Sequence, residues 1–129
     1  MDNTEEIKRL VDRYTESIRT QDKESFCSLW ANNPHCILIS IATEYKGLES
    51  IYQDFVIGVI QKAYSEIKLI SDGLEIHLLN DNFATVIFHY HTECIKRDDG
   101  KPFGIKGMET QVHVKENGQW KIQHVHYSM

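Results

Sequence analysis

The chain has 129 residues, of which 41% are apolar, and this size and composition suit one globular domain rather than a disordered segment. Its 19 Asp and Glu residues outnumber its 14 Lys and Arg residues, so it offers no basic surface for phosphates and we expect no nucleic acid partner. The acidic start Met1–Glu6 is unlike a signal peptide, and no stretch reaches the roughly 18 apolar residues of a membrane span, so we expect no membrane partner. The cysteines lack Cys-x-x-Cys spacing, which suits reduced thiols, and we therefore expect a cytoplasmic protein.

The first half of the chain shows helical periodicity. Apolar residues recur every three or four positions from Ile7 to Ile18 and predict a long amphipathic helix. Asp22 can cap a short second helix that ends before Pro34. A short strand over His35–Ser40 is expected next, and a second long amphipathic helix follows Gly47.

The second half of the chain, from Tyr64 onward, has the pattern of strands. We place them near residues 65–79, 82–96, 103–116 and 119–128. Polar or glycine-containing turns separate the strands at Asn80–Asn82, Asp98–Pro102 and Glu116–Gly118. Helices grouped before a run of antiparallel strands predict an α+β fold.

The final hairpin carries the most specific signal. Its marker residues are Glu109-Thr110, Gly118, Trp120, His124, His126 and Ser128. This ending resembles that of SnoaL-like domains and of the association domain of calcium/calmodulin-dependent kinase II, which belong to the superfamily named for nuclear transport factor 2 and ketosteroid isomerase. Val11–Tyr14, Leu29–Ala31 and Gly47 also lie where that superfamily places them.

The resemblance covers almost the whole chain and implies a single SnoaL-like domain over residues 1–129. The implied fold is a cone of the nuclear transport factor 2-like, cystatin-like kind. About three helices would pack on the concave face of a curved antiparallel sheet, with a pocket between helices and sheet. The same scaffold hosts many unrelated functions, so the fold alone does not give the chemistry.

The turn of the final hairpin decides which side chains face this pocket. A two-residue Asn117-Gly118 loop pairs Gln111 with His124, whereas a three-residue loop with a glycine bulge pairs Gln111 with Gln123. One residue of slip exchanges the two faces of the last strand. If the loop has two residues, His124 and His126 would face the pocket. If it has three residues, both histidines would face the opposite side of the sheet.

Three positions support the bulged reading. The kinase association domain presents pocket arginines at positions that fall here on Tyr90, Gln111 and Tyr127. Because Gln111 and Tyr127 share a face only in the bulged reading, we expect a three-residue loop. The loss of all three arginines argues against a pocket specialised for a carboxylate.

Glu109 and Tyr14 are the candidate catalytic residues. A carboxylate in an apolar cavity has a raised pKa and can exchange protons near neutrality, and Glu109 shares the predicted pocket face of Gln111. Tyr14 falls where ketosteroid isomerases keep the tyrosine that hydrogen-bonds the developing enolate. The base of those enzymes would fall near Leu38 and Ile39, where this chain has no acid. Both candidates also have structural alternatives, as a core aromatic and as a hydrogen-bonded carboxylate.

The expected pocket has aromatic walls and few polar groups, as small-molecule sites usually do. The residues expected to line one cavity are Tyr14, Tyr90, Glu109, Gln111 and Tyr127, with His113 on the same face nearer the hairpin tip. These features predict a small-molecule-binding pocket protein without a cofactor. Two alternatives stay open, namely an enzyme using proton transfer (isomerase, cyclase or dehydratase) and an oligomerisation module.

Two further patterns concern metals and partners. His89/His91 and His124/His126 are His-x-His pairs, but a strand separates them by about 10 Å, too far to share one ion, so no metal site is expected. In the bulged register four apolar side chains lie opposite Gln111, and this strip predicts a homodimer through the outer face of the sheet. The strip consists of Val112, Val114, Trp120 and Ile122.

Overall fold

A computed structural model describes all residues, 1–129, and shows helices on one side of a strongly curled sheet. The helices are α1 (Asn3–Thr20), α2 (Lys23–Ser28) and α3 (Leu48–Ser50), and α3 continues directly as a π-helix over Ile51–Gln61. The strands are β1 (Ile37–Ser40), β2 (Thr43–Lys46), β3 (Tyr64–Asn80), β4 (Phe83–Lys96), β5 (Pro102–Phe103), β6 (Lys106–Glu116) and β7 (Gln119–Ser128). No helix is both long enough and apolar enough to cross a membrane.

The sheet has the order β2-β1-β7-β6-β4-β3, and β5 pairs with β4. All neighbours are antiparallel except β1 and β7, which run parallel. The register of β3 against β4 shifts at three places along its length, and such bulges increase local twist and bend. The sheet therefore curls into a half-barrel, and the predicted cone-shaped α+β fold is confirmed.

The first two helices begin where side chains can cap them. The Asp2 carboxylate accepts a hydrogen bond from the Glu5 backbone N–H at 2.8 Å, and Asp22 accepts one from the Ser25 N–H at 3.3 Å, as predicted for α2. The α1 helix ends at Gln21, which adopts a left-handed conformation with φ of 58°. The apolar stripe of α1 is buried against the sheet, so Tyr14 points inward.

Two elements differ from the sequence prediction. The strand predicted over His35–Ser40 is shorter, Ile37–Ser40, and β2 follows it as a hairpin partner. The sequence did not predict β2, because the largely exposed, polar segment Thr43–Lys46 has no strand-like alternation. The helix after Gly47 is present but mostly π-helical, with the Lys62 N–H donating to the Ile57 carbonyl. π-Helical turns are uncommon and often occur at functional sites.

The last hairpin combines a two-residue loop with a bulge further along the strand. Asn117 and Gly118 both have positive φ, 50° and 77°, so the predicted three-residue loop is wrong. A register shift then occurs, because His113 pairs with Ile122 whereas Val112 pairs with His124. Gln123 is the extra, unpaired residue of this bulge. After Gln123, the residues of β7 that face inward are odd-numbered instead of even-numbered.

The bulge at Gln123 explains which residues face inward. Beyond the bulge Glu109 pairs with Tyr127 and Gln111 with Val125, so Gln111 and Tyr127 do share the inner face. Before it, Trp120 and Ile122 keep the phase set by the loop and are buried inside, at 3% and 0% exposure. The prediction that Trp120 and Ile122 lie on the outer face is therefore wrong, because the slip occurs after these residues.

Long-range contacts fix this bulge. On the loop side of it, Ile122 exchanges backbone hydrogen bonds with Leu29 and Ala31, both at 2.8 Å. On the far side, β7 pairs instead with β1. At the bulge itself the side-chain amides of Asn33 and Gln123 exchange two hydrogen bonds of 2.8 and 3.1 Å. The bulge thus lies where β7 changes its neighbour.

Candidate active site

A cavity opens between α1, the end of the π-helix and the concave face of the sheet. Its volume is about 110 Å³, and 12 of its 14 lining residues are hydrophobic. An apolar protein cavity of about 150 Å³ holds benzene, so this space suits a ligand no larger than one ring or one branched alkyl group. The lining residues are Tyr14, Ile18, Phe55, Val59, Ile60, Tyr64, Ile67, Leu69, Tyr90, Thr92, Cys94, Ile105, Glu109 and Tyr127.

Glu109 is the one carboxylic acid of this cavity. It lies on the inner face of β6, is only 4% exposed, and accepts a hydrogen bond of 2.6 Å from the Gln111 side-chain amide. Burial raises the pKa of Glu109 to about 7, and the bond from Gln111 partly opposes that rise. At neutral pH the carboxyl group is thus divided between its two protonation states and can both accept and give up a proton.

Three phenols surround Glu109, from α1, β4 and β7. Burial, followed by the charge of Glu109, raises the pKa of Tyr14 and of Tyr90, and burial is also the main cause of the raised pKa of Tyr127. All three therefore remain neutral hydrogen-bond donors. The Tyr90 hydroxyl already donates to the Ser128 carbonyl at 3.1 Å, whereas the Tyr14 hydroxyl makes no hydrogen bond to the protein. Tyr14 is thus a donor that is available to a ligand.

Gln111 and His113 lie behind Glu109 rather than in the cavity wall. Both side chains are completely buried, at 0% exposure. The His113 Nε2 lies 2.7 Å from the Gln111 Oε1, so the three residues form a hydrogen-bonded row along β6. Burial lowers the pKa of His113 to about 3, so its ring is neutral and donates through Nε2, while its buried Nδ1 has no partner. These two residues orient Glu109 from behind.

The structure thus brings Tyr14, Tyr90, Glu109 and Tyr127 into one cavity and leaves Gln111, the fifth expected lining residue, and the candidate ligand-binding residue His113 outside it. Strand alternation gives the face of a side chain but not its height along the cone. Each residue of a strand advances about 3.4 Å, so His113 lies about 14 Å along β6 from Glu109. The cavity is at the open end, near the start of β6.

Sequence reasoning missed part of the aromatic wall. Phe55 packs between Tyr45 and Tyr127, with ring centroids 5.3 and 6.0 Å away, and Tyr64 closes another side. Phe55 belongs to an aromatic pattern typical of a buried helix face, and its apolar spacing alone does not separate core from cavity. Cys94 also lines the cavity, where burial raises its pKa and keeps it a thiol.

The histidines of β4 point away from this site. The His89 Nε2 lies 2.7 Å from Glu75, and the His91 Nδ1 lies 2.8 Å from Asp72, all on the outer face of the sheet. His124 and His126 are separated from them by β6. Nowhere in the structure do three or more His, Cys, Asp or Glu side chains form a group that could hold a metal ion.

Comparison with known proteins gives the family. The family model described as the calcium/calmodulin dependent protein kinase II association domain matches residues 3–129. The chain belongs to this family. No match was found among curated proteins.

Solved structures agree with this assignment. A nuclear transport factor 2-like superfamily protein from Salmonella enterica serovar Typhimurium is 31% identical, with a TM-score of 0.90 over 96% of this chain and 88% of that chain. Hexachlorocyclohexane dehydrochlorinase LinA-type3 from Novosphingobium barchaimii is 15% identical, with a TM-score of 0.84 over 95% of this chain and 83% of that chain.

A proposed scytalone dehydratase from Novosphingobium aromaticivorans is 16% identical, with a TM-score of 0.85 over 98% of this chain and 84% of that chain. At such low identity, the dehydratase and the dehydrochlorinase show the fold alone. The resemblance read from the final hairpin is confirmed for both superfamily and family.

Proposed function

We propose that this chain is a small-molecule-binding protein whose cavity catalyses a proton transfer, with Glu109 as the proton carrier. The observation that carries this proposal is a single buried carboxyl group, with a pKa of about 7, in an otherwise hydrophobic and phenolic cavity. General bases and acids work best when their pKa lies near the working pH. A purely structural carboxylate has no need to face a cavity.

The reaction class best suited to these groups is removal of a proton from carbon, in an elimination or an isomerisation. In an elimination, the Glu109 carboxylate takes a proton from one carbon, the C–H electrons form a double bond, and the leaving group departs from the next carbon with its bonding electrons. The Tyr14 hydroxyl would donate a hydrogen bond to that leaving group. The proton on Glu109 then returns to solvent. Dehydrochlorinases and dehydratases are eliminating enzymes by name, and proteins so named share this fold.

The test uses a simple carbon acid that fits the cavity. Exchange of the α-hydrogens of cyclohexanone with D₂O, followed by ¹H NMR, reports proton transfer without the natural substrate. We expect wild-type protein to accelerate exchange and Glu109→Gln to lose about 100-fold or more of that acceleration. The rate should rise with pH through about 7, as Glu109 ionises.

The matched control is Glu93→Gln, which removes the same charge from the outer face. The Glu93 side chain is 60% exposed and does not line the cavity. This variant should exchange at the wild-type rate. Equal rates in Glu109→Gln and wild type would show that Glu109 is not the proton carrier.

The second candidate is binding without chemistry. It is favoured by the neutral character of the other polar groups, because Glu109 has only an amide and phenols as neighbours. In that case Tyr14 would serve to orient a bound ligand. Saturable binding of cyclohexanone by wild-type protein without any acceleration of exchange would support this candidate over catalysis.

A further inference from the structure

Aromatic rings enclose the cavity on several sides. They come from α1, the π-helix and three strands, and they are Tyr14, Phe55, Tyr64, Tyr90 and Tyr127. The rings of Tyr90 and Tyr127 lie at 86° to each other, with centroids 6.3 Å apart, and Phe55 is inclined by 50° to Tyr127 at 6.0 Å. Rings set at such angles form the walls of a box rather than a stack.

The cavity has no positive charge. None of its lining residues is Lys, Arg or His, and its one carboxylic acid is Glu109. The groups that face Glu109 are Gln111 from β6 and the phenols of Tyr14, Tyr90 and Tyr127, so none of them can neutralise the carboxylate. A buried carboxylate without a counter-charge is unfavourable. A cationic ligand would supply the missing charge.

We propose that the cavity binds a small organic cation of the alkylammonium class, held by the aromatic rings and by the Glu109 carboxylate. This rests on the proposed function in taking the same cavity as the ligand site. The face of an aromatic ring carries partial negative charge and attracts cations, most strongly where water is excluded. The cavity volume of about 110 Å³ admits one such head group.

Cation binding also changes the state of the proton carrier. A positive charge beside Glu109 lowers the pKa of its carboxyl group, so the bound complex holds it ionised and ready to act as a base. At pH 7 part of the carboxyl population is still protonated, and binding must release that proton. Titration calorimetry in two buffers of different ionisation enthalpy should detect proton release at pH 7 and none at pH 9.

The main experiment compares three molecules of nearly the same shape. Choline is cationic, 3,3-dimethylbutan-1-ol is its neutral carbon analogue, and 3,3-dimethylbutanoate is anionic. At pH 8 we expect choline to bind wild-type protein at least about tenfold more tightly than the neutral alcohol, and the anion to bind most weakly. In Glu109→Gln the preference for choline should fall to a few-fold, while Glu93→Gln keeps it.

A second variant tests the rings independently of the carboxylate. Phe55→Leu keeps an apolar side chain but removes one π face, so it should weaken choline binding by a larger factor than it weakens binding of the neutral alcohol. Proton release on choline binding should persist in Phe55→Leu and vanish in Glu109→Gln. Circular dichroism spectra that match the wild type exclude misfolding as the cause.

Several results would overturn the cation proposal. Equal or tighter binding of the neutral alcohol, tightest binding of the anion, or binding of none of the three molecules would each do so. The α-hydrogen exchange assay is separate. If exchange still depends on Glu109, the proton-transfer function stands without the cation preference. Cation-selective binding without exchange would retain the ligand class and remove the catalytic role.

Discussion

The inner face of β6 and the outer face of β4 both carry acids and histidines, but the pKa values of Glu109 and His113 on β6 and of His91 on β4 shift for different reasons. On the inner face, burial raises the pKa of Glu109 to about 7 and lowers that of His113 to about 3. On the outer face, the hydrogen bond with Asp72 is the main cause that raises the pKa of His91. Burial disfavours charge of either sign, whereas pairing with an opposite charge favours it.

This difference separates a site from a solvated surface. The outer groups are at least one third exposed, and each histidine of β4 has an acidic neighbour. The inner groups lie in a row without a counter-ion, and the first of them, Glu109, reaches a cavity. The carboxyl group whose pKa lies near neutrality, Glu109, is thus on the inner face and at a cavity.

The largest effect expected is a gain in stability from Glu109→Gln at alkaline pH. Because the folded-state pKa of Glu109 is raised from 4.5 to about 7, the folded protein binds a proton that the unfolded chain has lost, and stability falls as pH rises through this window. The neutral amide removes that loss and still accepts the bond from Gln111. We expect a gain on the order of 3 kcal/mol in the free energy of unfolding at pH 8.

Urea unfolding of wild type and Glu109→Gln from pH 4 to pH 9 measures this gain. Glu93→Gln is again the matched control, and it should change stability little at any pH. A Glu109→Gln variant that is less stable than wild type at pH 8 would contradict burial as the cause of the shifted pKa.

The second effect concerns His113→Gln and has the opposite pH dependence. The folded-state pKa of His113 lies at about 3, below its ordinary 6.5, so the unfolded chain binds the extra proton and stability is lost as pH falls below 6.5. Glutamine keeps a donor toward Gln111 but does not titrate. At pH 5 the variant should be more stable than wild type, relative to pH 8, by on the order of 2 kcal/mol.

The two inner groups therefore oppose each other between pH 4.5 and pH 6.5, the interval in which both differ from their unfolded states. In the wild type, their contributions to the slope of the unfolding free energy against pH cancel over this interval. Each single variant removes one contribution, so its measured slope shows that of the other group. Identical pH dependence in His113→Gln and wild type would show that His113 is not held neutral by burial.

Local patterns in the sequence predicted much of the fold. The strand predicted at 82–96 is Phe83–Lys96, and the one at 119–128 is Gln119–Ser128, because alternation and turn residues are local signals. The strand predicted at 103–116 is interrupted at Gly104, where a Cβ would lie 2.4 Å from the Thr92 carbonyl oxygen. That close approach depends on β4 and is not visible in the segment itself.

The candidate site was predictable in face but not in detail. Four of the five expected lining residues meet in the cavity, since alternation along β4, β6 and β7 selects the inner face. Gln111 and Tyr127 share the inner face as predicted, but for a different reason. The one-residue shift in pairing occurs at Gln123 and not in the turn. It depends on Asn33, which is distant in sequence, and no hairpin pattern contains that information.

The third effect tests this bulge, which assigns residues to the two faces. Asn33→Ala removes both amide hydrogen bonds to Gln123 and also the bond of 2.9 Å that the Asn33 Oδ1 accepts from the His35 backbone N–H, and we expect a loss of about 1 kcal/mol or more in the free energy of unfolding. Asn32→Ala is the matched control, because only the backbone N–H of Asn32 is bonded, to Glu116. Equal stability of the two variants in urea unfolding would show that the amide pair does not hold the bulge.

The smallest effect on the fold is expected from Val112→Lys on the outer face. Val112 and Val114 are only partly buried in the single chain, and Trp120 and Ile122 do not contribute to this surface. We propose that the outer face still joins two copies, with these valines at its centre, because two-fold association through one apolar patch is the commonest arrangement.

Lysine at position 112 would place two like charges near the symmetry axis and separate the copies. Light scattering should then show a dimer for wild type and a monomer for Val112→Lys, with unchanged circular dichroism and unchanged α-hydrogen exchange. A wild-type protein that is monomeric at tens of micromolar would contradict the dimer, and it would leave the cavity on the inner face complete within one chain.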